Sequence, residues 1–158
     1  MEFINNRSVL VCVTEQITCE RLIYAGSLIA KEEGLQLNIL SVLNSHTACS
    51  VFGEELEYLY EVSKEVNANM SVYISDNILS PVLKHIRKNS VGHIIVGRPE
   101  SIENSSFVKG LLRAIKGLKI HVVDHAGNSH IIDNNIFNTQ QKLAYFDKFN
   151  RLIELAGN

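Results

Sequence analysis

The 158 residues contain no tryptophan, two prolines, three cysteines and a net formal charge of only −2. Each shortage excludes something. Cys12, Cys19 and Cys49 cannot all pair and show no zinc-ligand spacing, so neither a disulfide scaffold nor a zinc module is expected. Such cysteine usage suits the reducing cytoplasm. A near-neutral balance, with an isoelectric point near 6.3, gives no electrostatic pull toward nucleic acid or anionic membrane. No apolar run approaches the ~20 residues that span a bilayer. The opening MEFINNRSVLVCV lacks the basic region, long apolar stretch and cleavage site of a secretory leader. The expectation is a cytoplasmic chain without membrane insertion and without a nucleic-acid partner.

What the chain does have is hydrophobic residues, 46% of the total, enough for one domain with a full core. Four short apolar runs stand out, Val9–Val13, Leu37–Leu43, Val91–Gly97 and Ile120–Asp124. They are continuous rather than alternating, as in parallel strands covered on both faces. Met70–Ile74 is a weaker fifth run suited to a sheet edge. Between the runs the spacing turns helical. Thr18–Glu33 aligns Leu22, Ile23, Gly26, Ile29 and Ala30 and stops at Gly34. Glu54–Asn67 aligns Leu56, Leu59, Tyr60 and Val66, with three glutamates in its favourable first turn. Asp76 is placed to cap a helix carrying Ile78, Leu79, Val82, Leu83 and Ile86, with Pro81 early in it. Alternating strands and helices predict a three-layer α/β sandwich. After Asp124 the pattern lapses into a polar, asparagine-rich stretch. Helical spacing then returns through Leu143, Phe146, Phe149, Leu152, Ile153 and Ala156. The chain divides accordingly into residues 1–125, an α/β domain, and residues 126–158, a linker plus a C-terminal helix packed on the domain or on a partner.

In open α/β sheets ligands sit outside the carboxyl ends of the strands, which singles out the loops Thr14–Thr18, Asn44–Gly53 and Arg98–Ser105. The third of these lies in IIVGRPESIENSSFVKGLLRAIKG, residues 94–117, a strand that feeds a helix through a polar loop. Such a junction commonly holds a phosphate on backbone amides and the helix dipole. Here the loop carries Glu100 and Glu103 against Arg98, and the proline Pro99.

VLVCVTEQITCERLIYAGSLIAKEEG resembles the opening of universal stress proteins, in particular the universal-stress-like domain inside potassium-sensing (osmosensitive potassium channel) histidine kinases. Cys19-Glu20-Arg21-Leu22-Ile23 stands where those segments begin their first helix. PVLKHIRKNSVGHIIVGR and SFVKGLLRAIKGLKIHVVD resemble the same superfamily, and the likeness spans residues 7 to 124. It implies a five-stranded parallel sheet in the order 3-2-1-4-5, a homodimer, and stress or signalling work by binding rather than turnover. Some relatives hold ATP, others hold no nucleotide, and some kinase-type members sense cyclic di-AMP. A sensor kinase or a transporter is the kind of partner implied.

ATP-holding relatives carry Gly-x2-Gly-x9-Gly-Ser/Thr after the fourth strand, where glycines let the backbone close on phosphates. Gly97 fits the first position and Glu100 takes the second. Counting onward reaches Gly110, followed by Leu111 rather than a hydroxyl. Aligning on helical spacing (Phe107, Leu111, Ile115, Leu118) instead puts Ser105-Ser106 at the Gly-Ser pair and makes a serine the N-cap. The ATP motif is therefore degraded. The cyclic di-AMP pattern, Ser-x-Ser, twenty residues, then Phe-Thr-Ala-x-Tyr, maps onto Thr14-Glu15-Gln16 and Leu37-Asn38-Ile39-Leu40-Ser41. Its spacing survives, but both aromatic ends are gone. By family position Val13, Thr14 and Val42 would neighbour a base, and Gly97, Arg98, Ser105 and Ser106 would meet phosphate.

No nucleophile elbow and no P-loop occurs, and neither Asp124 nor Asp133 has a partner placed for acid–base work. His121, His125 and His130 fall on a strand and a loop, a poor arrangement for a metal. His85 and His93 read as a helix-surface and a strand-start residue. Cys12 reads as a small buried hydrophobe. The expectation is a non-enzymatic module that needs no cofactor or metal and binds ATP, AMP or cyclic di-AMP at the strand ends. The alternative is a nucleotide-free protein acting through dimerisation and protein contacts.

Overall fold

The computed structural model of the chain describes residues 2–3, 6–14, 16–46 and 53–132. The five apolar runs form β1 (Ser8–Val13), β2 (Gln36–Leu43), β3 (Asn69–Ile74), β4 (Val91–Gly97) and β5 (Lys119–Val123). They alternate with α1 (Glu20–Glu33), α2 (Glu54–Glu65), α3 (Leu79–Asn89) and α4 (Ser106–Ala114). In β4 the six residues Val91–Val96 are all buried, as a continuous apolar run requires. Every residue of β3 is at least partly exposed, which is the character of an edge.

These five strands lie in the order β3-β2-β1-β4-β5 and pair in parallel throughout. The sheet nevertheless has six strands, not the five expected. β6 (Ser129–Ile132) returns antiparallel beside β5, from Val123↔Ser129 to Ile120↔Ile132. The cause is local. The Asp124 carboxylate accepts the amides of Ala126 and Asn128, each at 2.9 Å, and Gly127 takes a φ of 88°, so the chain reverses within five residues. Ile132 of the lone apolar pair then enters the core while Ile131 stays 50% exposed. Ser129–Ile132 thus belongs to the sheet, although it lies in the stretch read as a linker. The C-terminal helical pattern lies in residues 133–158, outside the described residues.

Two local expectations change. Helix α4 ends at Ala114 because Ile115 is extended (φ −123°, ψ 111°), and Ile115–Lys116 pairs in parallel with Glu2–Phe3. Asn77, not Asp76, caps α3: its Oδ1 accepts the amides of Leu79 and Ser80 at 3.0 and 3.3 Å. Pro81 falls in the first turn, where its missing amide hydrogen costs no helical bond.

The strand period of two sorts the core. Val9, Val11, Val13 and Ile39 pack with Leu22, Ile23, Leu59 and Val62 of α1 and α2. Leu10, Leu40 and Ile94 pack with Val82, Ile86, Val108 and Leu111 of α3 and α4. Gly26 lets α1 sit tight on the sheet, since a Cβ there would collide with the Val11 side chain.

The core has one conspicuous polar element. His93 and His121, 4% and 6% exposed, face each other from β4 and β5 with Nδ1 and Nε2 2.9 Å apart. His93 Nε2 lies 2.9 Å from Glu33 Oε2 at the end of α1. A hydrogen bond thus joins the two imidazoles, its direction set by their tautomers. His93 is the third residue of β4, near the strand start as the sequence suggested, and it is buried. Burial, then the neighbouring His93 and Lys119, push the His121 imidazole down to about 4 from its ordinary 6.5, with Glu33 opposing.

The pH dependence follows from that depression. Above pH 6.5 His121 is neutral folded and unfolded, and its full contribution is present. As pH falls from 6.5 toward 4, only the unfolded chain takes up this proton, so stability drops by at most about 1.4 kcal/mol per pH unit. Urea unfolding from pH 7 to 5 will show a shallower slope in His121→Leu than in the native chain. Equal slopes would contradict the buried, neutral imidazole.

Candidate functional site

β1 is the strand at which the order turns, since β2 and β3 lie to one side of it and β4 and β5 to the other. The loops leaving β1 and β4 therefore diverge at their carboxyl ends, the position at which open α/β sheets hold ligands. The register Val11↔Ile95 brings Val13 and Gly97 to that end together, two residues further along.

On the β1 side Val13 is 5% exposed and Thr14 is exposed, with its Oγ1 3.3 Å from the buried Cys19 Sγ. Cys19 ends a short 3-10 turn (Ile17–Cys19) that leads into α1, so it lies at a helix start as expected, but it is covered. Cys12 is half-buried in β1, and burial pushes its thiol up to about 12, well out of reactive range. On the β2 side Val42 is half-buried. Beyond it Ser45 donates through both its amide (3.1 Å) and its hydroxyl (3.0 Å) to Asp76, whose carboxyl falls below the usual range for that reason. This joins the loops after β2 and β3. Leu37–Ser41, the positions matched to the aromatic half of the cyclic di-AMP pattern, are all buried inside β2.

The loop after β4 is not a glycine-rich phosphate loop. Gly97 has no left-handed backbone, and a Cβ there would make only ordinary contacts with Arg21 Nη2 (3.6 Å) and Leu22 (3.8 Å). The Arg98 amide donates to Val123 O at 3.0 Å, and Pro99 has no amide hydrogen. Ile102, 5% exposed, pins the loop into the core. Ser105 is the N-cap of α4, its hydroxyl accepting Val108 N–H at 3.2 Å, and Ser106 is the first helical residue. Ser105 keeps its own hydroxyl hydrogen to donate. Gly110, the other reading of the third motif position, sits mid-helix where a Cβ would press into Leu79 of α3, so it serves helix packing.

The Asp124 carboxylate is held low by the Asn128 amide first, then by the Asn128 side chain, the Ala126 amide and the Arg98 charge. Its oxygens shape the hairpin turn. His125 and His130 are exposed on the turn and on β6, apart from the buried His121. Among the described residues no three His, Cys, Asp or Glu side chains converge as metal ligands.

Arg21 is the residue that the motif reading passed over. From the first turn of α1 its Nε donates to Asp124 O at 2.9 Å and its Nη1 to Thr18 O at 2.6 Å. This guanidinium strut crosses the end of β4 above Gly97. A signal for it was present, because a cation in a helix's first turn opposes the macrodipole and needs a local reason.

A separate concavity of about 400 Å³ lies between α2 and β3, lined by Gly53, Leu56, Glu57, Tyr60, Met70 and Val72. It is on the outer edge of the sheet, against β3. Among the described residues no helix is long and apolar enough to cross a membrane.

No protein-family model matches the chain, and no curated protein matches it. Solved structures do. A universal stress protein crystallised in complex with cAMP superposes with a TM-score of 0.54 at 13% identity, over 76% of this chain and 98% of that one. A universal stress protein from Archaeoglobus fulgidus gives 0.54 at 13% identity, over 75% and 97%. A member of the same family from Burkholderia pseudomallei gives 0.50 at 12% identity, over 67% and 88%. At these identities the likeness is one of architecture: the chain has the α/β fold of the universal stress proteins, with a mainly parallel central sheet.

Proposed function

We propose that the chain is a non-enzymatic regulatory module that holds an adenine nucleotide or a cyclic dinucleotide in the cleft between the ends of β1 and β4. One observation carries the reading: the strand order turns at β1, opening a cleft with Thr14 on one rim and Arg98 on the other, in a fold that a cAMP-bound universal stress protein shares. Val13, Thr14 and Val42 border the base, while Gly97, Arg98, Ser105 and Ser106 border the phosphate. Glu100 and the scarcity of free amides in the loop after β4 argue against a triphosphate and for a ligand of lower charge. Buried Leu37–Ser41 leaves Thr14 and Gln16 as the solvent-facing part of the cyclic di-AMP pattern. The kinship with potassium-sensing kinases, the homodimer, the cytoplasmic setting and a kinase or transporter partner belong to this same reading.

The second reading, a nucleotide-free module acting through dimerisation and protein contacts, is favoured by Ile102, which ties the loop down where a phosphate loop would stay open. Removal of residues 133–158 separates the two, because the cut falls after β6 and spares the sheet. A truncated chain that still binds nucleotide and keeps its oligomeric state supports the first reading. One that loses its assembly supports the second.

Titration calorimetry of the ligand-free protein with cyclic di-AMP, and with ATP plus magnesium, tests binding directly. Saturable uptake of a nucleotide is expected, weakened severalfold or more by Arg98→Ala, which removes a charge from the rim. No heat from either ligand in folded protein would defeat the nucleotide reading, and unchanged affinity in Arg98→Ala would remove that residue from the site.

A further inference from the structure

We propose that Arg21 is a ligand-binding cation, and that it holds a phosphate mono- or diester over Gly97 at the end of β4. The inference rests on the nucleotide reading and names the group that recognises the phosphate.

The charge state of Arg21 is the first argument. Both of its protein partners, Thr18 O and Asp124 O, are neutral carbonyls, and among the described residues it has no carboxylate. The carboxylate of Asp124 is close in sequence, but it is taken by the Ala126 and Asn128 amides. A half-buried guanidinium is thus held in the first turn of α1 by two carbonyls, with no carboxylate on it among the described residues, against the helix dipole.

Geometry is the second argument. The two carbonyl bonds use Nε and Nη1 and leave the hydrogens of Nη2 without a protein partner among the described residues. Nη2 stands 3.6 Å from the position that a Cβ on Gly97 would occupy, in ordinary contact distance, so the absent side chain leaves that donor uncovered on its Gly97 side.

The third argument is what the backbone fails to supply. The Arg98 amide is bonded to Val123 O and Pro99 has none, so the first two residues after β4 offer a phosphate no main-chain donor. At these two positions only side chains can supply a donor. Arg21 from α1 and Arg98 from the loop approach from two elements, and Glu100 sets an upper limit on the charge they accept.

The test is calorimetry of adenosine and AMP with the full chain, as the native protein, Arg21→Gln and Gly97→Ala. The native protein should bind AMP about tenfold or more tighter than adenosine, the factor expected for a charged hydrogen bond. Arg21→Gln should abolish that preference, weakening AMP far more than adenosine. Gly97→Ala leaves the strut intact and puts a methyl group in the phosphate position, so it should reduce the preference too. If Arg21→Gln melts early, Gly97→Ala decides. A preference that survives in both variants overturns the assignment. So does loss of adenosine binding together with AMP in Arg21→Gln, which would mark Arg21 as a strut alone. Native protein that binds cyclic di-AMP but ignores AMP also overturns it, while leaving the wider nucleotide reading in place.

Discussion

The structure depends on one constraint: a parallel sheet whose central strands must be buried on both faces. Val9, Leu10 and Val11 in β1 and Ile94 and Ile95 in β4 are all at 0% exposure, and no water can reach their backbones. Helices are needed on both sides, so β1, β2 and β3 build outward one way and β4 and β5 the other. The cleft follows from that reversal. It is where the connections part, and no side chain has to be spent on opening it. β6 extends the same sheet at the other edge, where Asp124 turns the chain back on β5.

The chemistry at the cleft is set by how its polar atoms are already used. Ser105 caps α4, Asp124 shapes a hairpin turn, Asp76 ties two loops, and the Arg98 amide belongs to the sheet end. Among the described residues, Arg21 Nη2 and the Arg98 side chain have no hydrogen-bond partner, and Ser105 keeps its hydroxyl hydrogen. That inventory suits a ligand with a small anionic charge. It contrasts with glycine-rich phosphate loops, in which the main chain supplies the donors. The far end of the sheet is occupied differently, by Glu33, His93 and His121, whose hydrogen bonds are exchanged inside the protein and whose role is stability.

The fold was legible where burial acts on whole segments. Continuous apolar runs marked β1, β2, β4 and β5, and the weaker run marked β3 as an edge, because two-sided burial leaves a direct imprint on composition. β6 was not legible. Its four residues, Ser129–Ile132, are half polar, and they pair because the turn directly before them reverses the chain, not because they are apolar. The cap of α3 shifted by one residue for a similar reason, since Asp76 found a stronger use in Ser45. The N-cap at Ser105 was legible because serine before an apolar helical stripe has few other meanings. Of the site, the strand-end location could be read from alternation, but Arg21 could not be placed there. Its neighbours Asp124 and Gly97 are 103 and 76 positions away in sequence, and only the sheet order brings them together. The buried pairing of His93 was not legible because its partners, Glu33 and His121, come from two other elements.

The central claim, that the cleft between β1 and β4 is the ligand site, is tested most directly by amide chemical-shift mapping of the isotopically labelled chain with AMP added. The account predicts shifts clustered at Thr14, Arg21, Gly97, Arg98, Ser105 and Ser106. Shifts centred instead on Leu56, Tyr60, Met70 and Val72 would move the site to the outer groove beside β3, and a spectrum unmoved by AMP would contradict the claim outright.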